Sequence, residues 1–291
     1  MGHMNVRFYV ARAVEGLVGL AAALGLEGAF RPNAEATLLI REQHIRFSRE
    51  ARAGARLHMT AGVIELGQTE ARFLQLLVHS QTGEIAASFQ SVVAHVTARE
   101  GRAFAWSDRT RAAAADLAVS VPQKAAPRGI ASGPVNGAAS LAEADRMGLI
   151  ALSTGAFGAQ DCDAFGRMRP EMFIGRISDG MPGLAGLLRG EDLTGAPERL
   201  AKLGGAVLEY RLIHLAWPRA GDRFDIRSGL VAIDERLQRV VHWMLDPATG
   251  RPWGTAEAVA ACFDLNTRKL VLMSAAALAA ARARITPGLA L

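Results

Sequence analysis

The feature that most constrains the fold is an internal repeat. Sliding the 291-residue sequence against itself by about 167 positions aligns, without a gap, Gly54 with Gly221, Arg56 with Arg223, Gly62 with Gly229, Arg72 with Arg239 and Thr82-Gly83 with Thr249-Gly250. Nearer the start, an offset of about 164 aligns Gly2 with Gly166, Met4 with Met168, Arg12 with Arg176 and Gly16 with Gly180. Two blocks with nearly the same offset indicate a duplication, so the fold must be one that a chain can form twice.

Each half predicts one helix followed by four strands. Apolar residues recur with helical spacing from Phe8 to Leu20 and again from Pro170 to Leu188. The strand-like runs are Thr37–Phe47, Arg56–Leu66, Arg72–His79 and Glu84–Thr97, then Ala206–Trp217, Arg223–Ile233, Arg239–Leu245 and Gly254–Asp264. Glycines at Gly83 and Gly250 are typical of hairpin turns. A helix followed by an antiparallel meander predicts an α+β fold with the helix on the sheet.

The composition changes between the halves. Ser107–Leu117 has a helical pattern, whereas Pro122–Gly137 is rich in proline and glycine and poor in bulky apolar residues, which predicts a linker. A further strand over Gly148–Gly155 opens the second half, and the first half lacks its counterpart. We therefore expect a first unit at 1–125, a linker at 126–139 and a second unit at 140–291.

Charge and composition argue against several classes of protein. The chain has 33 Lys and Arg against 28 Asp and Glu, a formal charge of +5 that favours anionic partners. No basic run is interleaved with aromatic residues, so nucleic acid is not expected as a partner. The apolar runs Leu17–Leu26 and Leu270–Ala281 are shorter than the roughly 20 residues of a membrane span. Cys162 and Cys262 form no CxxC motif, and we expect a cytoplasmic, bacterial protein.

The most informative stretch precedes the second helix. It reads Asp161-Cys162-Asp163-Ala-Phe-Gly166-Arg167-Met168-Arg169-Pro170, two acids and a glycine turn before a helix, and the first half begins Gly2-His3-Met4-Asn5 with an aromatic at Tyr9. Together these resemble the hot-dog-fold acyl thioesterases of the 4-hydroxybenzoyl-CoA thioesterase type, whose pattern is an Asp-x-Asp loop, Gly-His-Met-Asn and an aromatic one turn into the helix. The resemblance implies a tandem (double) hot-dog fold, each unit a long helix wrapped by an antiparallel β-sheet.

The same resemblance assigns Asp163 the place of the family's catalytic aspartate. Thioester hydrolysis needs a carboxylate that attacks the carbonyl or activates a water, and N–H donors for the oxygen that becomes negative. A helix N-terminus offers such donors, and Asp163 lies a few residues before one. The alternative is that Asp163 caps the helix that follows.

Substrate-binding candidates follow from the resemblance because hot-dog units place the site between them. These candidates are Gly166, Arg167, Met168, His3, Asn5, Glu15 and Asp179. An Arg stands three residues before both Glu15 and Asp179, so a helical ion pair is the alternative for these two acids. Arg167 and Arg169 replace the family's His and Asn. The first half contains no equivalent of Asp163 before its helix, so we expect a single site that has the catalytic acid, at the interface of the units.

The resemblance implies hydrolysis of acyl thioesters carried by CoA or acyl carrier protein, without a metal and with no cofactor beyond the CoA or phosphopantetheine of the substrate. Two alternatives stay open. One is a double hot-dog enoyl-thioester hydratase, although the sequence shows no Asp–His pair on a loop after a strand. The other is a protein that binds acyl thioesters without turnover, which Arg167 and Arg169 would suit.

The remaining reactive residue types have simpler interpretations. Cys162 has no histidine nearby in sequence and is expected to be a packed strand residue. Most of the histidines lie on predicted strands without metal-ligand spacing, namely His44, His58, His79, His95, His214 and His242. Exposed sheet edges would allow a homodimer of double hot-dog chains.

Overall fold

The structure, a computed structural model, describes residues 2–135, 137–189 and 203–291. Its α-helices are α1 (Val6–Ala23), α2 (Asp108–Asp116), α3 (Leu141–Arg146), α4 (Pro170–Arg189) and α5 (Ala275–Arg282). Its strands are β1 (Ala36–Phe47), β2 (Leu57–Leu66), β3 (Glu70–His79), β4 (Ile85–Thr97), β5 (Ile150–Ala156), β6 (Leu203–His214), β7 (Arg223–Ile233), β8 (Leu237–Leu245) and β9 (Pro252–Asp264). The predicted helices and strands are confirmed, with small differences at their ends.

All the described strands belong to one antiparallel sheet in the order β2-β3-β4-β1-β6-β9-β8-β7-β5. The two halves meet where β1 pairs with β6, with Glu42 opposite Ile213 and Arg46 opposite Glu209. We call this pairing the seam. It makes the sheet continuous through the molecule, so that neither half has a free edge at the centre.

The repeat is visible in the structure down to its irregularities. The strands β1 and β6 begin at 36 and 203, and β4 and β9 begin at 85 and 252, so both pairs are offset by 167 residues. The register shifts of β1 between Ile40 and Glu42 and of β6 between Val207 and Glu209 also match at this offset. Because a β-bulge bends its strand and increases the local twist, the two halves of the sheet curve alike.

The two long helices pack on the same side of the sheet and share one core. That core contains Tyr9 from α1, Ile45 from β1, Phe173 from α4 and Tyr210 from β6, all of them buried. Gly180 allows α4 to approach β5 closely, because a Cβ at this position would lie 2.6 Å from the Leu152 carbonyl oxygen. Helix α1 and helix α4 therefore stabilise one another as well as the strands beneath them.

The segment predicted to be a linker packs across the outer face of the seam. Glu209 accepts hydrogen bonds from the backbone N–H groups of Arg128 (2.9 Å) and Gly129 (2.7 Å). On the same strand, Arg211 donates to the carbonyl oxygens of Ala131 (2.9 Å) and Gly133 (2.6 Å). We call residues 123–133 the strap. The strap makes these contacts through its backbone, so its amino-acid composition gave no sign of them and predicted a linker. The boundaries of the two units stay a prediction.

The outer edges of the two halves differ. In the second half, β5 pairs with β7 along the end of the sheet. In the first half the equivalent edge strand is β2, where Val63 donates to the Leu117 carbonyl (2.8 Å) and accepts from the N–H of Val119 (2.9 Å). Leu230 of β7 forms the same parallel bridge with Ile285 after α5, so the residues after α2 correspond to those after α5, and β5 has no counterpart beside β2 among the described strands. In the described part of the chain, no helix is both long enough and apolar enough to cross a membrane.

Candidate active site

Each long helix begins at a loop held against the loop after a central strand. Before α1, Met4 donates its N–H to the carbonyl of Ala51 (2.8 Å), and before α4, Met168 donates to the carbonyl of Pro218 (2.7 Å). We call residues 2–5 and 48–56 the first site, and residues 161–169 and 215–222 the second site. The two sites are related by the repeat.

The two sites lie at opposite ends of the seam. Because β1 and β6 are antiparallel, the C-terminal end of β1 at Phe47 and that of β6 at His214 point in opposite directions. In the register of the seam, His214 falls beside Arg41, and the distance from Arg41 to Phe47 along the extended chain is about 20 Å. A residue of the first site therefore cannot touch Asp163 at the second.

Asp163 forms a tight loop with the residues that follow it. Its Oδ1 accepts the backbone N–H groups of Phe165 (2.8 Å) and Arg167 (2.9 Å), and its Oδ2 lies 3.4 Å from the Arg167 Nε. Gly166 has a φ of +74°, which only glycine adopts at little cost, and it closes this turn. The Asp163 side chain is 33% exposed. Both amides precede α4, so the alternative that Asp163 caps the helix is wrong.

The other acid of the motif holds the start of α4. The carbonyl oxygen of Asp161 accepts the N–H of Arg169 (2.9 Å), while its buried carboxylate accepts from the N–H of Gly158 (2.9 Å) and from Arg176 Nη2 (3.0 Å). Asp161 thus positions the loop that presents Asp163, a role the sequence analysis missed. The two-acid spacing was the available signal.

Arg167 is almost completely buried, with 4% of its surface exposed. The guanidinium stands over the ring of Phe165 at 4.9 Å and reaches the first half, where a Cβ on Gly101 would lie 3.8 Å from Nη1. Burial lowers the pKa of Arg167, against the charge of Asp163. Within the described part of the chain, Nη1 is buried and makes no hydrogen bond.

The residues predicted to reach Asp163 from the first half do not do so. His3 lies at the first site, with Nδ1 3.8 Å from Glu50 Oε1. Asn5 caps α1 by accepting the N–H of Arg7 (2.9 Å), and it crosses to α4 by donating to Ser178 Oγ (3.1 Å). The prediction that His3 and Asn5 act with Asp163 is therefore wrong, because the repeat puts them at the other end of the seam.

The two helical acids form the ion pairs that the sequence offered as the alternative. Glu15 lies 2.5 Å from Arg12, and Asp179 lies 3.8 Å from Arg176. Both acids are mostly exposed, at 60% for Glu15 and 66% for Asp179. Neither lines a buried pocket. Met168, by contrast, is buried in the shared core and anchors the loop.

The comparisons with known proteins identify the family. A family model described as the thioesterase-like superfamily matches residues 1–114 and 157–281, which covers most of both halves. The chain belongs to the thioesterase-like superfamily. A comparison with the curated proteins finds no match.

Solved structures share the fold of this thioesterase-like protein. An acyl-ACP thioesterase from Bacteroides thetaiotaomicron is 12% identical with a TM-score of 0.61, covering 89% of this chain and 90% of that one. The 12:0-ACP thioesterase from Umbellularia californica is 12% identical with a TM-score of 0.58, covering 89% and 87%. A provisionally assigned oleoyl thioesterase from Lactobacillus plantarum is 11% identical with a TM-score of 0.63, covering 89% of both chains. These likenesses confirm the tandem hot-dog fold.

The second site of the thioesterase-like protein also contains residues that the sequence did not single out. Strand β6 ends at His214, earlier than predicted, because Leu215 and Ala216 both donate to the carbonyl of Trp253 (3.0 and 2.9 Å) and turn the chain. Trp217 then stacks on the His214 ring, with centroids 4.5 Å apart. The Trp-Pro-Arg sequence after an otherwise regular strand was the available signal.

Cysteine and metal chemistry have little support in the described residues of this thioesterase-like protein. Burial raises the pKa of Cys162, whose thiol donates to the carbonyl of Gly158 at 3.5 Å. A raised pKa disfavours the thiolate that a nucleophile needs. No group of three or more possible metal ligands occurs among residues that the structure describes.

Proposed function

We propose that this chain hydrolyses acyl thioesters at the second site, with Asp163 as the catalytic carboxylate. The observation that carries the proposal is the position of Asp163. In a member of the thioesterase-like superfamily, its carboxylate is fixed by two backbone N–H groups, yet it remains one-third exposed near the start of α4. Oδ2 has only the longer contact with Arg167, so this oxygen retains lone pairs for chemistry.

In the proposed reaction, Asp163 Oδ2 takes a proton from a water molecule while the water oxygen attacks the thioester carbonyl carbon. The C–S bond then breaks, Asp163 gives its proton to the leaving sulfur, and a thiol and a carboxylic acid are released. The carbonyl oxygen becomes negative during the attack. The N-terminal turn of α4 begins seven residues after Asp163, and its partial positive charge favours that oxygen.

A second candidate function is thioester binding without turnover. It is favoured by the Arg167 guanidinium, which stands where the family pattern has histidine and pairs with the Asp163 carboxylate. A carboxylate committed to its own loop is a weaker base for an incoming water. Under this alternative, the site would hold the acyl thioester but leave its C–S bond intact.

The substrate class is proposed to be an acyl group carried by CoA or by acyl carrier protein. Two of the structures with the same fold are named as acyl-ACP thioesterases. Their identity to this chain, 12%, supports the fold alone, so the carrier must be found by experiment.

The test is thiol release from a panel of saturated, aromatic and enoyl thioesters, each on CoA and on acyl carrier protein, alongside calorimetric binding of the same compounds. Thiol release that depends on enzyme concentration is the expected result. Binding without release would replace hydrolysis by the non-catalytic function. Loss of the enoyl double bond without thiol release would indicate a hydratase.

A further inference from the structure

The second site contains buried nitrogen atoms that have no acceptor within the described residues. They are Arg167 Nη1, Arg169 Nε and Trp217 Nε1, and both ring nitrogens of the adjoining His214 are in the same state. The guanidinium and the indole are donors only, and a neutral imidazole supplies one donor more. Because leaving a buried donor unpaired costs free energy, such a group of donors indicates a missing partner rich in acceptor oxygens.

The charge of the site is positive. Arg219 lies beside Arg167, joined to it by a backbone bridge, and donates to the Phe165 carbonyl at 3.2 Å. Arg41, at the bulge of β1 in the first half, is close enough for its charge to act on both Arg167 and His214. In the described chain, neither the Arg41 nor the Arg219 side chain has a carboxylate within ion-pair distance, and both are more exposed than Arg167.

Asp163 is the carboxylate that faces Arg167, and it occupies Nε alone. Asp222 lies in the same loop but accepts the backbone N–H of Arg219 at 2.7 Å. The nearby Arg169 lies within ion-pair distance of Glu171, at 3.3 Å. Among the described residues, the guanidinium groups of Arg41, Arg167 and Arg219 therefore have one ion pair between them, that of Arg167 with Asp163.

The first site shows what can fill such a position. There, His3 and Arg52 form the backbone bridge that Arg167 and Arg219 form at the second site. The carboxylate of Glu50 lies among the basic groups, 3.8 Å from His3, 3.9 Å from Arg52 and 3.2 Å from Arg268.

The repeat puts Trp217 where the first site has Glu50. The second site therefore has basic residues, Arg167 and Arg219, at the positions of His3 and Arg52, but it has Gly101 at the position of Arg268 and lacks the carboxylate of Glu50. An oxyanion supplied from outside the chain would complete it, with Arg41 and Arg219 at the exposed rim and Arg167 behind them.

We propose that the second site binds a carboxylate of its substrate between Arg167, Arg219 and Arg41. The inference rests on the proposed function only for the nature of the ligand, a thioester. It adds that the acyl group of this thioester carries a negative charge close to the reacting carbon. The phosphate of a phosphopantetheine arm is a second possible source of charge, but the full length of that arm separates it from the sulfur, so it cannot reach these arginines while the thioester carbon lies at Asp163.

Three thioesters distinguish the sources. S-butyryl-N-acetylcysteamine carries neither anion, S-succinyl-N-acetylcysteamine carries a carboxylate on the acyl group, and S-butyryl-phosphopantetheine carries a phosphate on the thiol arm. Their dissociation constants are measured by calorimetry with the full chain and with the Arg41→Gln and Arg167→Gln variants. Arg236→Gln is the matched control, because Arg236 is an exposed arginine paired with Glu235 on a distant turn.

We expect S-succinyl-N-acetylcysteamine to bind the full chain at least tenfold more tightly than the other two compounds, and both site variants to remove that difference. Preferential binding of S-butyryl-phosphopantetheine would reject the assignment of the anion to the acyl group. If Arg167→Gln does not fold, the Arg41→Gln variant alone tests the proposal, because Arg41 is partly exposed and lies outside the Asp163 loop. Equal binding of all three compounds, or variants that weaken the neutral thioester as much as the anionic ones, would overturn the proposal. Selective anion binding without thiol release would retain it and reject hydrolysis.

Discussion

Two histidines of the second half, His214 and His242, are buried in the core, where the neutral imidazole is favoured over the protonated form. Burial lowers the pKa of His242 to about 3, and burial together with the charge of Arg41 lowers that of His214 to about 3. His242 Nδ1 is hydrogen-bonded to Ser228 Oγ at 2.7 Å. Since both values lie below the ordinary value of 6.5, the unfolded chain binds more protons than the folded chain between about pH 6.5 and pH 3.

The free energy of unfolding should therefore fall as the pH falls below about 6.5. At pH 5 each of these histidines would lower it by roughly 2 kcal/mol. The repeat aligns His242 with Gln75, so glutamine is the natural replacement. His242→Gln should remove about that amount from the difference in the free energy of unfolding between pH 7.5 and pH 5, measured by urea unfolding. His58→Gln is the control, because His58 is exposed, and it should leave the pH dependence unchanged. An undiminished pH dependence in His242→Gln would contradict this explanation.

Among the structural elements, the strap and the seam depend on one buried carboxylate. Burial alone would raise the pKa of Glu209, but hydrogen bonds from His44 and from the backbone of Arg128 and Gly129 lower it to about 2. Glu209 lies 2.6 Å from His44 across the seam. The repeat gives Glu42 the equivalent place, where it pairs with Arg211 at 2.8 Å.

Glu209→Ala should lower the free energy of unfolding by about 3–5 kcal/mol, because it leaves a buried histidine and two backbone N–H groups unpaired. Glu42→Ala is the matched variant and should cost less, because the Glu42 side chain is more exposed, at 23% against 3% for Glu209. Urea unfolding measures both. Hydrogen exchange at Arg128 and Gly129 should become faster in Glu209→Ala alone. Unchanged exchange there would show that the strap is held by other contacts.

The long helices, α2 and the strands could be predicted from the sequence because helical spacing and apolar runs persist through each half, and β4 and β9 are buried along most of their length. The short helices α3 and α5 were not predicted. The strap could not be predicted, because its contacts come from the backbone of Arg128 and Gly129, whose residue types give no sign of them. The place of Asp163 before α4 was predicted, whereas its hydrogen bonds to its own loop depend on the turn at Gly166. Glu50 and Trp217 went unnoticed because only the folded repeat shows that they are equivalent.

The whole molecule is expected to unfold as one unit. The shared core joins α1, α4 and the central strands, and the sheet runs unbroken across the seam. Under this arrangement, the loss of packing in one half weakens the other.

Ile177→Ala on α4 should therefore destabilise both halves equally, by about 2–5 kcal/mol, because Ile177 is fully buried in the shared core. Hydrogen exchange of the slowest amides in β3 and in β8 measures the free energy of opening in each half. Leu17→Ala is the control, because Leu17 packs in a separate cluster of the first half and should also lower both values. A loss confined to β8 in Ile177→Ala would show that the halves unfold independently.

The central claim, that Asp163 is the catalytic carboxylate, is tested most directly by thiol release from the Asp163→Asn variant on the best substrate of the panel. Asparagine can accept the same two backbone hydrogen bonds, but it is neither a base nor a nucleophile. The control is Asp246→Asn, since Asp246 also accepts the N–H two residues ahead, at 2.8 Å to Ala248, in the turn between β8 and β9. We predict that Asp163→Asn lowers kcat by about 10²–10⁴-fold with the fold and binding retained, while Asp246→Asn keeps full activity. An active Asp163→Asn enzyme would contradict the assignment.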